Sequence, residues 1–523
     1  MRIFIRLRYL LIFVLLLATA RASFGQSGQL WFEQGRPTTQ AFQAVDILGA
    51  AHTEGLDPGD YGALALQVGI ASAAKGQELA VPDAMALDRQ LAAAMQQYLT
   101  DLHSGRVDPR QMHENFNVPR SEYFSAPEYL RAAIAENRLP QAVRQAAPRI
   151  DLYAGLRQVL AQYRSLEENA AWKTPLAAIP GKKLSVGDAY AGLGLLVQRL
   201  TILGDLPAGT VTPPVYEGAV VEGVRAFQQR HGLLNDGLVG AATFEALQVT
   251  PAQRVRQIEL SLERLRWTPL LQGPRMIVVN IPEFVLRAYV VQDGKMDVQV
   301  TMKVIVGKAL DTSTPLFDED MRFIEFSPYW NIPASIARSE TIPRLRRDPG
   351  YFQQEGLEFV SRQGGVIRTM SNENLNAAMR GELRIRQRPG PRNALGDIKF
   401  IFPNDQNIYL HHTPAPQLFD RYRRDFSHGC IRVEDPVSLA KFVLYDEPQW
   451  SEARIRSAMA SGTSRTIRLQ QPIPVLIAYS TVVPKDDKVY FFPDLYEHDA
   501  LLDKALSRRV RVSAASSPIQ QQL

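Results

Sequence analysis

The spacing of apolar residues along the chain changes from a helical to a strand period. From Thr39 to about Arg164, apolar residues recur three and four positions apart, which predicts amphipathic helices. From Arg275 onward the spacing becomes two, and several such runs predict successive strands. We therefore expect a helical domain over residues 39–184 and a mostly β domain over residues 275–500.

A shorter helical unit lies between these two regions, at residues 185–250. Its second helix carries one apolar face and ends near Gly232, where a left-handed cap costs little. The turn Asp236-Gly237 and a further short helix follow. Residues 251–274 then predict a linking helix with an apolar stripe on one side and charged residues on the other.

The N-terminus has the pattern of an export signal. Basic residues precede the apolar run Tyr9–Ala18, and small residues suited to cleavage follow it. The run is too short for a comfortable membrane span, so we predict a signal peptide over residues 1–26, with a membrane tether through an uncleaved N-terminus as the alternative. Residues 501–523 are interpreted as a C-terminal tail.

Composition narrows the function classes only slightly. The 523 residues are 46% hydrophobic and 22% charged, as in ordinary globular proteins, and the length predicts two to four domains. A net charge of +5 is mild, and no block of Lys and Arg indicates a nucleic-acid partner. The charge would suit an anionic wall or membrane surface, although solvated surface residues explain it equally well.

The chain contains one cysteine, Cys430, within the sequence Ser427-His428-Gly429-Cys430-Ile431-Arg432. A lone thiol in an exported chain cannot form an internal disulfide, and a nearby histidine can turn it into a nucleophile. His411 and His412 lie upstream at a distance that a strand, a loop and a return would span. The structural alternative is a free cysteine that fills buried volume.

The β region also carries a series of short motifs in a fixed order. They are Asn280-Ile281-Pro282, Val306-Gly307-Lys308, Thr314-Pro315, Pro328-Tyr329-Trp330-Asn331-Ile332-Pro333, Arg388-Pro389-Gly390-Pro391, Asn393, Leu395-Gly396, Lys399-Phe400, Phe402-Pro403-Asn404, Tyr409-Leu410-His411 and the segment around Cys430. This order resembles the YkuD-type L,D-transpeptidases, in particular their large periplasmic YcbB-like branch. Residues 185–250 resemble the peptidoglycan-binding module of cell-wall enzymes.

The resemblance implies an α+β multidomain fold. It would comprise a helical scaffold domain, a small helical peptidoglycan-binding domain and a mostly β YkuD-type catalytic domain with a lid-like insertion. The long segment between Trp330 and Asn404 is the candidate for this insertion. An ordinary surface excursion is the alternative.

The resemblance also assigns roles to residues of the catalytic domain. Cys430 is the expected nucleophile and His411 its base, with His412 the weaker candidate. The backbone N–H groups of His428 and Gly429, with that of Cys430, are the expected oxyanion donors. The expected substrate contacts are Arg432, which would bind a carboxylate, and Tyr351, Arg388, Asn393 and Trp330.

The reaction implied is attack of the thiolate on the third residue of a peptidoglycan stem peptide, usually meso-diaminopimelate, with loss of D-Ala. An amine acceptor would give a 3-3 cross-link, and water would make the enzyme an L,D-carboxypeptidase. The resemblance further implies no cofactor or metal, a periplasmic location, the sacculus as partner, no nucleic acid, and β-lactam carbapenems as inhibitors. The rival classes are a zinc hydrolase that uses His411, His412 and His428, and a non-catalytic wall-binding scaffold.

Overall fold

The computed structural model describes residues 29–75, 80–112, 124–268, 273–309 and 312–515. The predicted signal peptide and the end of the predicted tail lie outside these ranges. The described residues belong to two compact units. The first lies within Met1–His52, Leu56–Leu102 and Phe124–Ala146, and the second within Thr53–Gly55, His103–Tyr123 and Ala147–Leu523.

The first unit is helical apart from one short hairpin. Thr38 caps the first helix by accepting a hydrogen bond from the Ala41 N–H at 3.3 Å. The carboxylate of Asp88, which is buried, accepts the Trp31 N–H at 2.7 Å and fixes the hairpin. The elements are β1 (Phe32–Glu33), β2 (Arg36–Pro37), α1 (Thr39–Gly49), α2 (Ala63–Ala74), α3 (Val81–Ser104), α4 (Ala126–Ala135) and α5 (Leu139–Ala146).

The second unit contains the remaining elements. Its helices are α6 (Asp151–Ser165), α7 (Leu193–Ile202), α8 (Ala219–Arg230), α9 (Ala241–Gln248), α10 (Pro251–Trp267), α11 (Ala334–Ile336), α12 (Ile342–Arg347), α13 (Tyr351–Gln354), α14 (Asn372–Arg380), α15 (Pro436–Val443), α16 (Glu452–Ala460) and α17 (His498–Ala515). Its strands are β3 (Arg275–Asn280), β4 (Val285–Gln292), β5 (Lys295–Gly307), β6 (Phe317–Phe326), β7 (Trp330–Asn331), β8 (Leu357–Ser361), β9 (Val366–Ile367), β10 (Leu383–Gln387), β11 (Ile398–Ile401), β12 (Leu410–His411), β13 (Asp425–Ser427), β14 (Ile431–Val433), β15 (Arg465–Ala478), β16 (Val482–Lys485) and β17 (Lys488–Phe491).

A nine-stranded sheet forms the centre of this unit, in the order β13-β5-β14-β12-β11-β6-β15-β3-β4. Since β4 also pairs with β5 along its length, the sheet closes on itself. Most neighbours are antiparallel, but three pairs run parallel: β12 with β14, β13 with β5 and β15 with β3. The alternating inward side chains form the largest core, which includes Phe326, Phe400, Leu410 and Ile431. The predicted fold class, helical domains followed by a mostly β domain, is confirmed.

The segment predicted as a lid-like insertion is a folded subdomain. A four-stranded sheet in the order β7-β10-β8-β9 packs with α11 to α14 around its own core, which includes Ile342, Phe352 and Phe359. The buried carboxylate of Glu358 is paired with Arg386 at 2.6 Å. The sequence indicated an excursion but not this sheet, because β7 and β8 both pair with β10, which is distant from them in the chain.

The small helical unit formed by α7 to α9 is packed against the β16–β17 hairpin. His231 stacks between Phe227 and Phe491, with ring centroids 3.7 and 5.7 Å apart. The guanidinium of Arg230 donates to the carbonyl of Val489 at 2.9 Å. Deleting this unit would therefore uncover Phe491, so a deletion would disturb the packing of the β16–β17 hairpin.

Helix α6 lies in the second unit, although the predicted helical domain 39–184 included it. The apolar face of α6, including Leu156 and Leu160, shares a core with Ile258 and Leu262 of α10. The contacts that place α6 in this unit are made with α10, the predicted linking helix. Because α6 and α10 are far apart in the chain, sequence position alone could not show that they pack together.

The buried carboxylate of Glu263 on α10 binds three other groups of the second unit. Its carboxylate accepts the backbone N–H groups of Arg106 and Val107 and pairs with Arg266 at 3.0 Å. We predict that Glu263→Ala destabilises the protein by about 3–5 kcal/mol, because it removes the carboxylate that pairs with the buried guanidinium of Arg266. Chemical denaturation followed by circular dichroism measures this loss.

The matched control is Glu452→Ala, which removes an exposed carboxylate that pairs with Lys441 and Arg456. This variant should unfold at nearly the wild-type denaturant concentration. Equal destabilisation by the two substitutions would contradict the importance given to the buried cluster.

Candidate active site

The parallel pairing of β12 with β14 places the candidate catalytic residues on one face of the sheet. Leu410 lies opposite Ile431, and both side chains are buried in the core. Successive side chains of a strand alternate between faces, so the neighbours of these two residues point the other way. Tyr409 and His411 flank Leu410, while Cys430 and Arg432 flank Ile431. The register also sets His411 directly opposite Arg432.

His411 is buried and has one nitrogen already in use. Its Nδ1–H donates to the carbonyl of His412 at 2.6 Å, which leaves Nε2 as the nitrogen able to accept a proton. Burial, followed by the positive charge of Arg432, lowers the pKa of His411 to about 3. The imidazole is therefore neutral at physiological pH. The carbonyl that orients it could not be identified from the sequence.

Cys430 is a free, half-buried thiol beside Tyr409. Its Sγ lies 3.6 Å from the carbonyl of Asn407. Burial raises the pKa of the thiol, while hydrogen bonds from Tyr409 and the charges of Lys399 and Arg432 act in the opposite direction. The balance favours a protonated thiol at rest, which has to lose its proton before it can act as a nucleophile.

The turn before Cys430 is held from both sides. Gly429 has φ +109, a conformation that a residue with a side chain rarely adopts. The Thr314 hydroxyl donates to the carbonyl of Gly429 at 2.8 Å, and the Gly429 N–H donates to Ser427 Oγ at 3.1 Å. The expectation for Gly429 as an oxyanion donor is therefore corrected, because its N–H is already bonded. The N–H groups of His428 and Cys430 stay the predicted donors.

The remaining histidines have separate partners. The exposed ring of His428 donates from Nε2 to Glu340 of the insertion at 2.7 Å. The His412 ring donates from Nδ1 to Asp397 at 2.7 Å. The three histidines of the zinc-hydrolase alternative thus point to different groups, and no cluster of His, Cys, Asp and Glu in the described part of the chain is suited to a metal.

The predicted substrate contacts differ in accessibility. Arg432 is half-buried, and its Nε has no hydrogen-bond partner among the described residues. Trp330 and Tyr351 are both half-buried beside the core of the insertion, with Arg344 3.7 Å above the Tyr351 ring. Arg388 is half-buried, and its Nε donates to the carbonyl of Gly356 at 3.3 Å. Substrate contact by these side chains stays a prediction.

Asn393 does not fit the role predicted for it. The side chain is 1% exposed, and its amide donates to the carbonyls of Pro328 and Arg388, both at 3.0 Å. Its oxygen accepts the Leu395 N–H at 2.8 Å. The expected substrate contact is therefore wrong in this geometry, because Asn393 uses its polar atoms to hold the loop between the insertion and β11.

Two residues beside Cys430 were missed as site residues. Tyr409 lies two positions before His411, so strand alternation could have placed it on the same face. Lys399 lies opposite His411 on β11, with Nζ 3.9 Å from the centroid of the Tyr409 ring. The sequence showed the motif containing Lys399 but not the register that sets it beside the thiol.

Family models match three regions of the chain. Residues 274–475 match the model described as "L,D-transpeptidase catalytic domain", YkuD. The chain carries a YkuD-type L,D-transpeptidase catalytic domain. Residues 191–247 match a "Putative peptidoglycan binding domain" and residues 26–160 a "Scaffold domain". The YcbB-like branch stays a prediction.

Curated relatives match parts of the chain. A "Putative L,D-transpeptidase" of Haemophilus influenzae is 30% identical over 250 residues, which cover 48% of this chain and 49% of the relative. The "N-acetylmuramoyl-L-alanine amidase CwlM" of Mycobacterium tuberculosis is 40% identical over 76 residues, 13% of this chain and 19% of that protein. The chain thus spans about half of the first relative and less of the second.

A solved structure from Clostridium acetobutylicum, a fused Zn-dependent amidase/peptidase/peptidoglycan-binding domain-containing protein, is 12% identical. The alignment covers 57% of this chain and 99% of that one, with a TM-score of 0.17. That likeness is too weak to support a shared fold. Among the described residues, none of the helices has both the length and the apolar character needed to cross a bilayer.

His411 and His412 can be separated by substitution. We predict that His411→Ala slows acylation of Cys430 by a carbapenem at least about a hundredfold, because Nε2 of His411 is the acceptor on the thiol's face. His412→Ala should change the rate much less, since its ring donates to Asp397. Intact-protein mass spectrometry over time measures both rates. A larger loss in His412→Ala would reverse the assignment.

Proposed function

We propose that the protein is a peptidoglycan L,D-transpeptidase that uses Cys430 as its nucleophile. Cys430 attacks the carbonyl of the third stem residue, meso-diaminopimelate, of a tetrapeptide and releases D-Ala. A diaminopimelate amine of a second stem resolves the thioester to give a 3-3 cross-link. The observation that carries the proposal is the register of β12 against the parallel β14 within the YkuD domain, which sets His411 on the face shared with Cys430, the residue directly before β14.

The lowered pKa of His411 and the raised pKa of Cys430 support general-base catalysis in which both side chains start neutral. As the S–C bond forms, the thiol proton passes to Nε2 of His411, while Nδ1 keeps its bond to the His412 carbonyl. The N–H groups of His428 and Cys430 stabilise the oxyanion. The resulting imidazolium lies next to Arg432 and Lys399, which disfavour it. It therefore readily gives its proton to the departing D-Ala amine as the C–N bond breaks.

Substrate positioning is assigned to the groups around this pair. Arg432 offers a guanidinium with an unpartnered Nε to a stem carboxylate. On the insertion, Tyr351 and Trp330 offer aromatic surface and Arg388 a further cation. The hydrogen bond between His428 and Glu340 ties the insertion to the nucleophile turn, which supports its role as a lid over the groove.

The matched peptidoglycan-binding domain supports a wall-bound enzyme. We assign the unit around residues 191–247 to sacculus binding and the protein to the periplasm. Carbapenems, which mimic the acyl donor, are the proposed inhibitors. Release of a tripeptide without any dimer would instead assign an L,D-carboxypeptidase, with water as the acceptor on the same acyl-enzyme.

The cysteine carries the chemistry in this account. We predict that Cys430→Ala abolishes the 3-3 dimer formed from purified disaccharide tetrapeptides, because no other thiol exists in the chain. The fold should persist, since the side chain is half-buried beside the groove. Mass spectrometry of the products measures the dimer, and the denaturation midpoint provides the control. Dimer formation by the folded variant would refute the nucleophile assignment.

The pH dependence follows from the two pKa shifts. Because the pKa of His411 is lowered to about 3, its base form is present throughout the range from about pH 5 to 9. Because burial raises the pKa of Cys430, the reactive thiolate increases as the pH rises above neutrality. Carbapenem acylation should therefore be nearly level from about pH 5 to neutrality, where neutral His411 takes the thiol proton, and rise through a single titration on the alkaline side as the thiolate accumulates. A rise centred near the ordinary histidine pKa of about 6.5 would contradict this assignment.

A further inference from the structure

Lys399 places a cation next to the candidate nucleophile from a strand that carries no predicted catalytic residue. It is half-buried on β11, and its Nζ lies 3.9 Å from the centroid of the Tyr409 ring. The same ring is 5.7 Å from that of His411, and its hydroxyl and backbone interact with the thiol of Cys430. An ammonium over an aromatic face is attracted to the ring and holds it in place.

The groups that face this position come from several elements. On β6, Glu325 lies directly opposite Lys399, but its Oε1 accepts the Ser464 hydroxyl at 3.1 Å. The β12 segment contributes Tyr409 and His411, and the β14 segment contributes Cys430 and Arg432. Beyond the nucleophile turn lies the pair formed by His428 and Glu340.

We propose that Lys399 is a positioning residue for the Cys430 thiolate: its ammonium holds the Tyr409 ring beside Sγ and supplies the positive charge that stabilises the ionised sulfur. This inference rests on the proposed role of Cys430 as the nucleophile. It extends the site to β11, a strand outside the His–Cys pair.

The charges of the groups around Cys430 explain why the ammonium of Lys399 is needed. When the S–H bond breaks, the proton goes to Nε2 of His411 or to solvent, and the negative charge stays on sulfur. His411 is neutral at rest and offers no standing charge to attract the thiolate. Arg432 is assigned to a substrate carboxylate. Lys399 is the remaining cation whose charge acts on Cys430.

The single cysteine allows a direct test without any peptidoglycan substrate. The rate of iodoacetamide alkylation against pH reports ionisation of Cys430 alone. We expect Lys399→Met, which keeps the apolar stem, to alkylate about tenfold more slowly at neutral pH and to move the titration to higher pH. Lys399→Arg should keep the wild-type profile because it retains the charge.

Lys441→Met is the matched control, since it removes a lysine that pairs with Glu452 on the surface. It should leave the profile unchanged. Circular dichroism checks each fold, and Lys399→Gln replaces the Met variant if that one does not fold. An unchanged profile in a folded, uncharged variant would overturn the proposal.

The alkylation test and the 3-3 dimer assay together separate failure of this inference from failure of the proposed function. A protein that forms no 3-3 dimer but whose thiol ionisation depends on Lys399 would contradict the transpeptidase assignment and leave the role of Lys399 intact. An active transpeptidase whose thiol ionises identically in Lys399→Met would retain its function and lose this inference.

Discussion

The parallel register of β12 against β14 is the constraint on which the candidate site depends. Leu410 and Ile431 are opposite one another in the core, so their burial fixes the register of both short strands. A slip of one residue would send Leu410 or Ile431 to the groove and turn His411 or Cys430 into the core. The hydrophobic core thus specifies which side chains meet on the other face. Thr314 and Gly429 then set the turn that presents the thiol.

The electrostatics of this face follow from the same register. Lys399, His411 and Arg432 lie side by side on neighbouring strands, so the histidine lies between two cations. This arrangement disfavours a resting thiolate–imidazolium pair and favours a neutral thiol next to a neutral base. The two cations then remain available for the negative charges that appear on sulfur and on the substrate.

Much of the architecture and the central pair of residues could be predicted from the sequence. Hydrophobic period distinguished the helical domains from the β domain, and the motifs around His411 and Cys430 indicated the family of the catalytic domain, which the comparison supports. The prediction for Asn393 was wrong because a polar residue in a loop motif can be either a ligand or a buried brace, and only its hydrogen bonds decide this. Lys399 was missed because its neighbours are set by strand pairing, which local sequence does not encode. The sheet inside the insertion was missed for the same reason.

The central claim is that Cys430 carries an acyl group from the third stem residue. Intact and peptide-level mass spectrometry of the wild-type protein, mixed with a disaccharide tetrapeptide whose diaminopimelate side-chain amine is blocked, tests it most directly. We predict a thioester on Cys430 with the added mass of the amine-blocked disaccharide tripeptide acyl group, and one released D-Ala for each adduct. An adduct on another residue, or release of D-Ala without any thioester intermediate on Cys430, would contradict it.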